Sequence, residues 1–362
     1  LFRGYSDDLG LHDWLKKMLA MEAKLTKEHV YWGTKLGLLE GIQFGTTTFA
    51  DFYYFPYKRA EAMIETGVNG FLDSAVHDMP GFFKTPQHAI DHSEKFIKDM
   101  LKEKKVTPIA TAHSIYLCSK DTLQQMNNIA KKYGVLKRIH VSETEKEFKK
   151  CLKDYKATPV EFLNNLNWVD EKTMLVHANW VTNHELRIIR NAKAKINHNP
   201  ISNMKLAYGK AMPLRRMIDM GITVSLATDG PTSNNNLDLF DDMKVSALMH
   251  KFEMNDPIGI MDQEIFDMAN IKGAEALMIE NETGSLEIGK NADIIAMDLN
   301  EAVFTPLNSH NNIISHLIYA ASGSNVTDTI VKGKFLYKDK KFLTLDKNKI
   351  IKNVQRLMGG IE

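Results

Sequence analysis

Seven short apolar runs, separated by helix-length stretches, restrict this chain more than any other feature of its sequence. They are 46–51 (TTTFAD), 68–74 (VNGFLDS), 107–114 (TPIATAHS), 138–144 (RIHVSET), 173–179 (TMLVHAN), 194–200 (AKINHNP) and 223–229 (TVSLATD). Brief apolar runs without strict alternation are the pattern of buried parallel strands. The stretches between them carry helix punctuation. One starts at Thr26 as N-cap and ends before Gly45; others stop at Gly67, Gly134 and Gly221, where glycine can take the left-handed conformation that closes a helix. Thr182-Asn183-His184-Glu185 fits a capping box. Strand and helix alternate, which favours a parallel sheet or barrel. The expected fold is therefore α/β, a TIM-like (β/α)8 barrel. Such a barrel needs one strand more than the seven runs supply. The chain opens Leu1-Phe2-Arg3-Gly4, with neither an initiator Met nor a signal peptide, so the first strand is expected upstream of Leu1.

After about Gly284 the character changes. Segments 284–299 (GSLEIGKNADIIAMDL) and 327–342 (TDTIVKGKFLYKDKKF) read as strands and hairpins, with Lys332-Gly333-Lys334 and Lys338-Asp339-Lys340 as turns. The expected organisation is a barrel over 1–283, a small β-sandwich part over 284–345 and a C-terminal helix over 346–362. Charge excludes several partners. Lys plus Arg is 46 and Asp plus Glu is 45, a net charge of +1, which gives no sign of a nucleic-acid surface or a polybasic membrane anchor. No apolar run is long enough for a membrane-spanning helix. The two cysteines, Cys118 and Cys151, form neither a disulfide framework nor a CxxC zinc site, and a reducing, cytoplasmic setting is the expectation.

What ends each run carries the chemistry. Run 107–114 delivers His113, run 138–144 delivers His140 with Glu143 three residues on, run 173–179 delivers His177, run 194–200 delivers His198, and run 223–229 delivers Asp229. In a parallel barrel every strand C-terminus points to one rim, where active sites form. Any single histidine here has an ordinary reading as a hydrogen-bonded structural residue. Five strand ends in register make a collective site the better reading, with His198 its weakest member. The remaining histidines, such as His88, His92 and His250, read as surface or helix positions. Imidazole and carboxylate suit zinc, iron or manganese. A divalent ion lowers the pKa of water from 15.7 toward ~7, which points to metal-assisted hydrolysis without a Ser or Cys nucleophile. No GxGxxG follows a strand and no GxxxxGK[ST] occurs, so nucleotide-phosphate cradles are unsupported.

The segments LFRGYSDDLGLHDWL (1–15), AHSIYLCS (112–119), IHVSETEKE (139–147), LVHANW (175–180), NHNPISNMKLAYG (197–209), ATDGPTSNNNLDLFDDM (227–243) and GSLEIGKNADIIAMDL (284–299) resemble the metal-dependent amidohydrolase superfamily. Within it they are most similar to the 5′-methylthioadenosine/S-adenosylhomocysteine deaminase branch, next to the triazine chlorohydrolases. The resemblance implies one divalent metal, zinc first, with iron or manganese as alternatives. It implies His140 and Asp229 as metal ligands, with Asp229 also the proton shuttle, and His177 to orient and polarise the attacking water. Glu143 would protonate the ring nitrogen beside the attacked carbon, His113 would contact substrate, Glu22 would hold ribose hydroxyls, and Trp14 would line the pocket. An HxH pair, which the resemblance places on the first barrel strand, is expected upstream of Leu1.

The implied reaction is release of ammonia from a purine-like ring. Candidate substrates are 5′-methylthioadenosine, S-adenosylhomocysteine, adenosine and 5′-deoxyadenosine. Family members that use S-adenosylhomocysteine place arginines near the substrate carboxylate. Here 77–84 reads His77-Asp78-Met79-Pro80-Gly81-Phe82-Phe83-Lys84, without arginine, which favours an uncharged 5′ group beside Phe82 and Phe83. Lys84 would substitute only as a point charge. Alternatives are a relative acting on guanine, a pterin, cytosine or a chlorotriazine, and, from another class, a non-catalytic, metal-free binding protein. The expected partner is a small molecule, with neither nucleic acid nor membrane; homo-oligomerisation is left open.

Overall fold

The computed structural model describes residues 1–308 and 312–361. Its first eight strands are β1 (Thr48–Asp51), β2 (Asn69–Leu72), β3 (Thr107–Pro108), β4 (Ala110–Ser114), β5 (Lys137–Val141), β6 (Thr173–His177), β7 (Lys195–His198) and β8 (Val224–Leu226). All their pairings are parallel, in the orders β1-β2-β3 and β4-β5-β6-β7-β8. The run read as one strand over 107–114 is thus two. Pro108 has no N–H to continue a ladder, and the chain changes partners just after it. The Ile109 N–H goes to the Leu72 carbonyl and the Ala110 N–H to the Leu136 carbonyl, each at 2.8 Å. The two sheets meet at this bend in one arc, a TIM-like α/β barrel. Among the described residues, β1 and β8 end the arc without pairing to each other.

Helices cover the outside of the arc. Ile139, Val141, Leu175, Ile196 and Val224 from the strands share a core with Leu123, Met126, Leu186, Ile189 and Met217 from the flanking helices. Trp168 is fully buried there and donates its indole N–H to the Leu123 carbonyl at 2.8 Å. Five of the helices present, Lys27–Gln43, Pro56–Thr66, Lys120–Tyr133, Asn183–Ala192 and Leu214–Asp219, were expected from their stops and starts. Leu11–Glu22, Pro86–Glu103, Glu145–Tyr155 and Leu239–Met254 were not among them.

Inside the arc lies a buried charge cluster that the sequence did not announce. Arg59 donates to the Tyr54 carbonyl at 3.0 Å and to Asp51 at 2.9 Å. Asp73, fully buried, accepts from Arg138 and Thr111. Arg138 also donates to the Ala50 carbonyl at 2.9 Å, so charges tie β1, β4, β5 and the turn after β2 together. Breaking one partner of such a cluster would strand a buried charge.

Four more strands, β9 (Ile294–Met297), β10 (Val326–Val331), β11 (Lys334–Lys338) and β12 (Lys341–Phe342), form an antiparallel sheet in the order β12-β11-β10-β9. Only Ile294–Met297 of segment 284–299 is strand; Gly284 lies in a bend and Gly289 in a turn before it. This sheet packs on helices: Val331, Leu336 and Tyr337 meet Leu38, Leu39, Ile42 and Met63, together with Ile350 of the last helix, Lys347–Met358. Thr329 reinforces the join by donating to the Ile42 carbonyl at 2.7 Å. Among the described residues, no helix is long and apolar enough to cross a membrane.

Candidate active site

The rim at the strand C-termini gathers most of the residues singled out above. His140 and His177 face each other with ring centroids 5.5 Å apart, and His113 lies 4.8 Å from His140. The His140 Nδ1–H donates to the His113 carbonyl at 2.6 Å, which leaves Nε2 with a free lone pair. Burial and the neighbouring His177 lower the His140 pKa against the opposing pull of Glu143 and Asp229, so the ring stays neutral. Burial, then His140 and His77, holds His113 well below the usual histidine range. Phe52, just after β1, packs 5.5 Å from both His113 and His140.

The Glu143 carboxylate is buried and accepts from two phenols: Tyr116 at 2.6 Å on one oxygen and Tyr208 on the other. Burial first, then the charge of Glu143, raises both tyrosine pKa values, which keeps them as donors. His177 Nε2 stands 3.4 Å from Glu143 Oε1. Two amides complete the frame through three bonds: His177 Nδ1 donates to Asn203 at 2.8 Å, Asn203 to Asn179 at 3.0 Å, and Asn179 to the Glu143 carbonyl at 3.2 Å. Asp229 accepts from Ser202 and from the Gly230 N–H, each at 2.7 Å. One short helix, Pro200–Lys205, therefore holds both His177 and Asp229 through the consecutive residues Ser202 and Asn203.

Backbone strain collects at the same place. Ser142, His177, Ala178 and Asp229 have φ of +52°, +74°, +51° and +61°, conformations that side chains other than glycine seldom take. Such residues persist where the surroundings over-determine them, often at functional sites.

The other expected residues are more dispersed. Glu22 is half-buried and accepts from Tyr53, two residues past β1, at 2.8 Å; burial pushes its pKa up to about 7 despite that bond. Trp14 packs against the cluster of Leu11, Leu206 and Tyr208, beside a phenol that holds Glu143, and its indole N–H is buried without a partner. His198 pairs with another histidine, though the charge of His177 still reaches it. It is fully buried, and its Nε2 lies 3.1 Å from Nε2 of His250, which is itself buried rather than at the surface. Tyr116, Tyr208, Asn179, Ser202 and Asn203 belong to segments that carried the resemblance, yet none had been assigned a role.

The donor chemistry fits a divalent ion. His140 and His177 each give Nδ1–H to a fixed oxygen and turn Nε2 inward, the arrangement that metal-binding imidazoles adopt. Asp229 adds a carboxylate whose charge acts on His140. Among the described residues, no three His, Cys, Asp or Glu side chains converge into a complete coordination group.

A parallel α/β barrel with imidazoles and acids at its C-terminal rim defines the class: a barrel built for hydrolysis. The chain belongs to the amidohydrolase family, which its residues 1–336 match. It is 38% identical over 364 residues to a 5′-deoxyadenosine deaminase of Methanobrevibacter smithii, covering 100% of this chain and 83% of the relative. It is 39% identical over 343 residues to a 5-methylthioadenosine/S-adenosylhomocysteine deaminase of Thermococcus onnurineus, covering 94% and 79%. Among solved structures, an adenosine deaminase from Xanthomonas campestris with bound zinc superimposes with a TM-score of 0.95 at 26% identity, over 99% of this chain and 82% of that one. A zinc-bound atrazine chlorohydrolase of Arthrobacter aurescens, at 22% identity and a TM-score of 0.88 over 99% and 84%, shares the fold.

Proposed function

We propose that the protein is a hydrolytic deaminase that releases ammonia from the purine ring of an adenosine derivative. The observation that carries this reading is the buried Glu143 carboxylate, 3.4 Å from an imidazole nitrogen of His177 at the rim that also presents His140. The names of the near-full-length relatives support it.

In this reading His140 and Asp229 would hold a divalent metal, zinc by analogy with the solved neighbours. When bound, such an ion supplies hydroxide at neutral pH by lowering the pKa of water toward ~7. His177, fixed through Asn203, orients the attacking water. Glu143, entering the cycle protonated, delivers its proton to the ring nitrogen beside the amine-bearing carbon and recovers one from the new hydroxyl as that group becomes a carbonyl. Asp229 takes a proton from the water and passes it to the departing amine. One C–O bond forms, one C–N bond breaks, and ammonia leaves. Glu22 holds the ribose hydroxyls, His113 contacts the ring, and Trp14 closes the pocket next to Tyr208.

The 5′ group is read as uncharged. Phe82 sits 4.3 Å from Phe55 and 5.5 Å from Tyr54, an aromatic surface, while Lys84 is exposed to solvent. This favours 5′-deoxyadenosine, methylthioadenosine and adenosine over S-adenosylhomocysteine.

The test is a panel assayed for ammonia release: these four compounds, guanine, a pterin and cytosine, with chloride release from a chlorotriazine. The uncharged adenosines should turn over, and S-adenosylhomocysteine should be poorer by about tenfold or more in kcat/KM for want of a charged partner. A chelator should abolish turnover and zinc restore it. Chloride release alone would replace the proposal with the triazine alternative, and binding without turnover would replace it with the non-catalytic one.

A further inference from the structure

We propose that Glu147 is a positioning residue for Glu143, holding the turn after β5 so that the Glu143 side chain starts from a fixed backbone. The inference rests on the deaminase reading for what Glu143 then does. Glu147 is 2% exposed, and its two oxygens take two consecutive amides: Ser142 N–H at 3.0 Å and Glu143 N–H at 2.7 Å.

The protein contains its own comparison. Glu147 is the third residue of the helix Glu145–Tyr155, whose N-cap is Thr144. A glutamate at this position ordinarily closes a capping box by accepting from the N-cap residue's own N–H. Three other helices here do so: Glu161 accepts from Thr158 N–H at 3.1 Å, Glu185 from Thr182 N–H at 2.8 Å and Glu264 from Met261 N–H at 2.9 Å. Glu147 stays within reach of the Thr144 amide but places its two oxygens at hydrogen-bond distance from the two residues before it. Capping alone does not account for those two bonds, whereas a need to fix residues 142 and 143 does.

What it fixes is strained and adjacent to the site. Ser142 has φ of +52°, and the chain turns there from β5 toward Glu143. The Glu143 carbonyl is held by Asn179 and its carboxylate by Tyr116 and Tyr208. Glu147 supplies the hold on its N–H. Release of that hold would let the carboxyl group drift, and misplacement of a reacting group by about 1 Å can cost ~100-fold in rate.

The test compares the intact protein with its E147Q and E147A variants. Amide hydrogen exchange is read at Ser142 and Glu143, and steady-state deamination is read with 5′-deoxyadenosine. E147A should exchange faster at those two amides, keep wild-type protection in the body of helix Glu145–Tyr155, and lose about 10- to 100-fold in kcat with KM within about threefold. E147Q keeps one acceptor oxygen and should fall between, which also supplies a volume-conserving variant should E147A fail to fold. Unchanged exchange at both amides would overturn the proposal, as would faster exchange with wild-type kcat. Loss of protection along the whole helix would overturn it in favour of simple capping. If wild-type protein releases no ammonia from any adenosine, the deaminase reading fails; the exchange measurement then still decides whether Glu147 clamps the turn.

Discussion

Glu143 is held at both carboxylate oxygens by phenols, so its isosteric replacement leaves the volume of the site intact while removing the proton carrier that the proposed reaction requires. Glu143→Gln should lower kcat by about 10²–10⁴ with a much smaller change in KM, measured by steady-state ammonia release on protein with an unchanged melting temperature. Glu22 gives a pH signature. Burial moves its pKa up to about 7, so below that pH it is a neutral acid with one O–H, and above it both oxygens accept from hydroxyls with a full charge. KM for a nucleoside should therefore fall as pH rises from 6 to 8, by up to about tenfold, and Glu22→Gln should flatten the profile. At this scale the sequence was partly legible. His140, His177, Asp229 and Glu143 stood out because a polar group ending a buried strand needs a reason to be there. Tyr116 and Tyr208 did not, because a tyrosine in an apolar segment reads as packing, and the carboxylate they share lies 27 and 65 residues away in sequence.

Local signals revealed elements better than they revealed which elements meet. The helix Asn183–Ala192 starts at Thr182, whose side chain accepts from the Glu185 N–H at 3.2 Å, as the capping box implied. Thr182→Ala should cost ~1 kcal/mol in chemical denaturation and leave kcat unchanged, since the cap touches none of the site groups. The division of 107–114 into β3 and β4 was hidden, because proline within an apolar run does not announce which neighbours the strand pairs with. The short helix Pro200–Lys205 shows the same limit. Neither the helix itself nor the way Ser202 and Asn203 steady two different strand ends was among the sequence expectations. His250 illustrates the converse: its partner His198 is 52 residues distant, so its burial inside helix Leu239–Met254 could not be read from its neighbours.

At the scale of the molecule, the antiparallel sheet and the barrel are joined through tight contacts. A Cβ added at Gly323 would lie 2.5 Å from Phe44, at the end of helix Lys27–Gln43, while the Gly323 N–H donates to Asp238 at 2.8 Å. Gly323→Ala should therefore destabilise the fold by about 1–3 kcal/mol through overpacking, seen as a lower denaturation midpoint with kcat per folded molecule preserved. The barrel's parallel architecture followed from strand and helix alternation, but the cluster of Arg59, Asp73 and Arg138 did not, since charges in a chain usually mark its surface. That cluster also reaches the site. The Arg138 guanidinium lies 5.8 Å from the ring of Phe52, which packs against both His113 and His140, and Asp73 beside it has no exposure. A change made to the charge at position 138 would therefore be felt at two imidazoles through one aromatic ring.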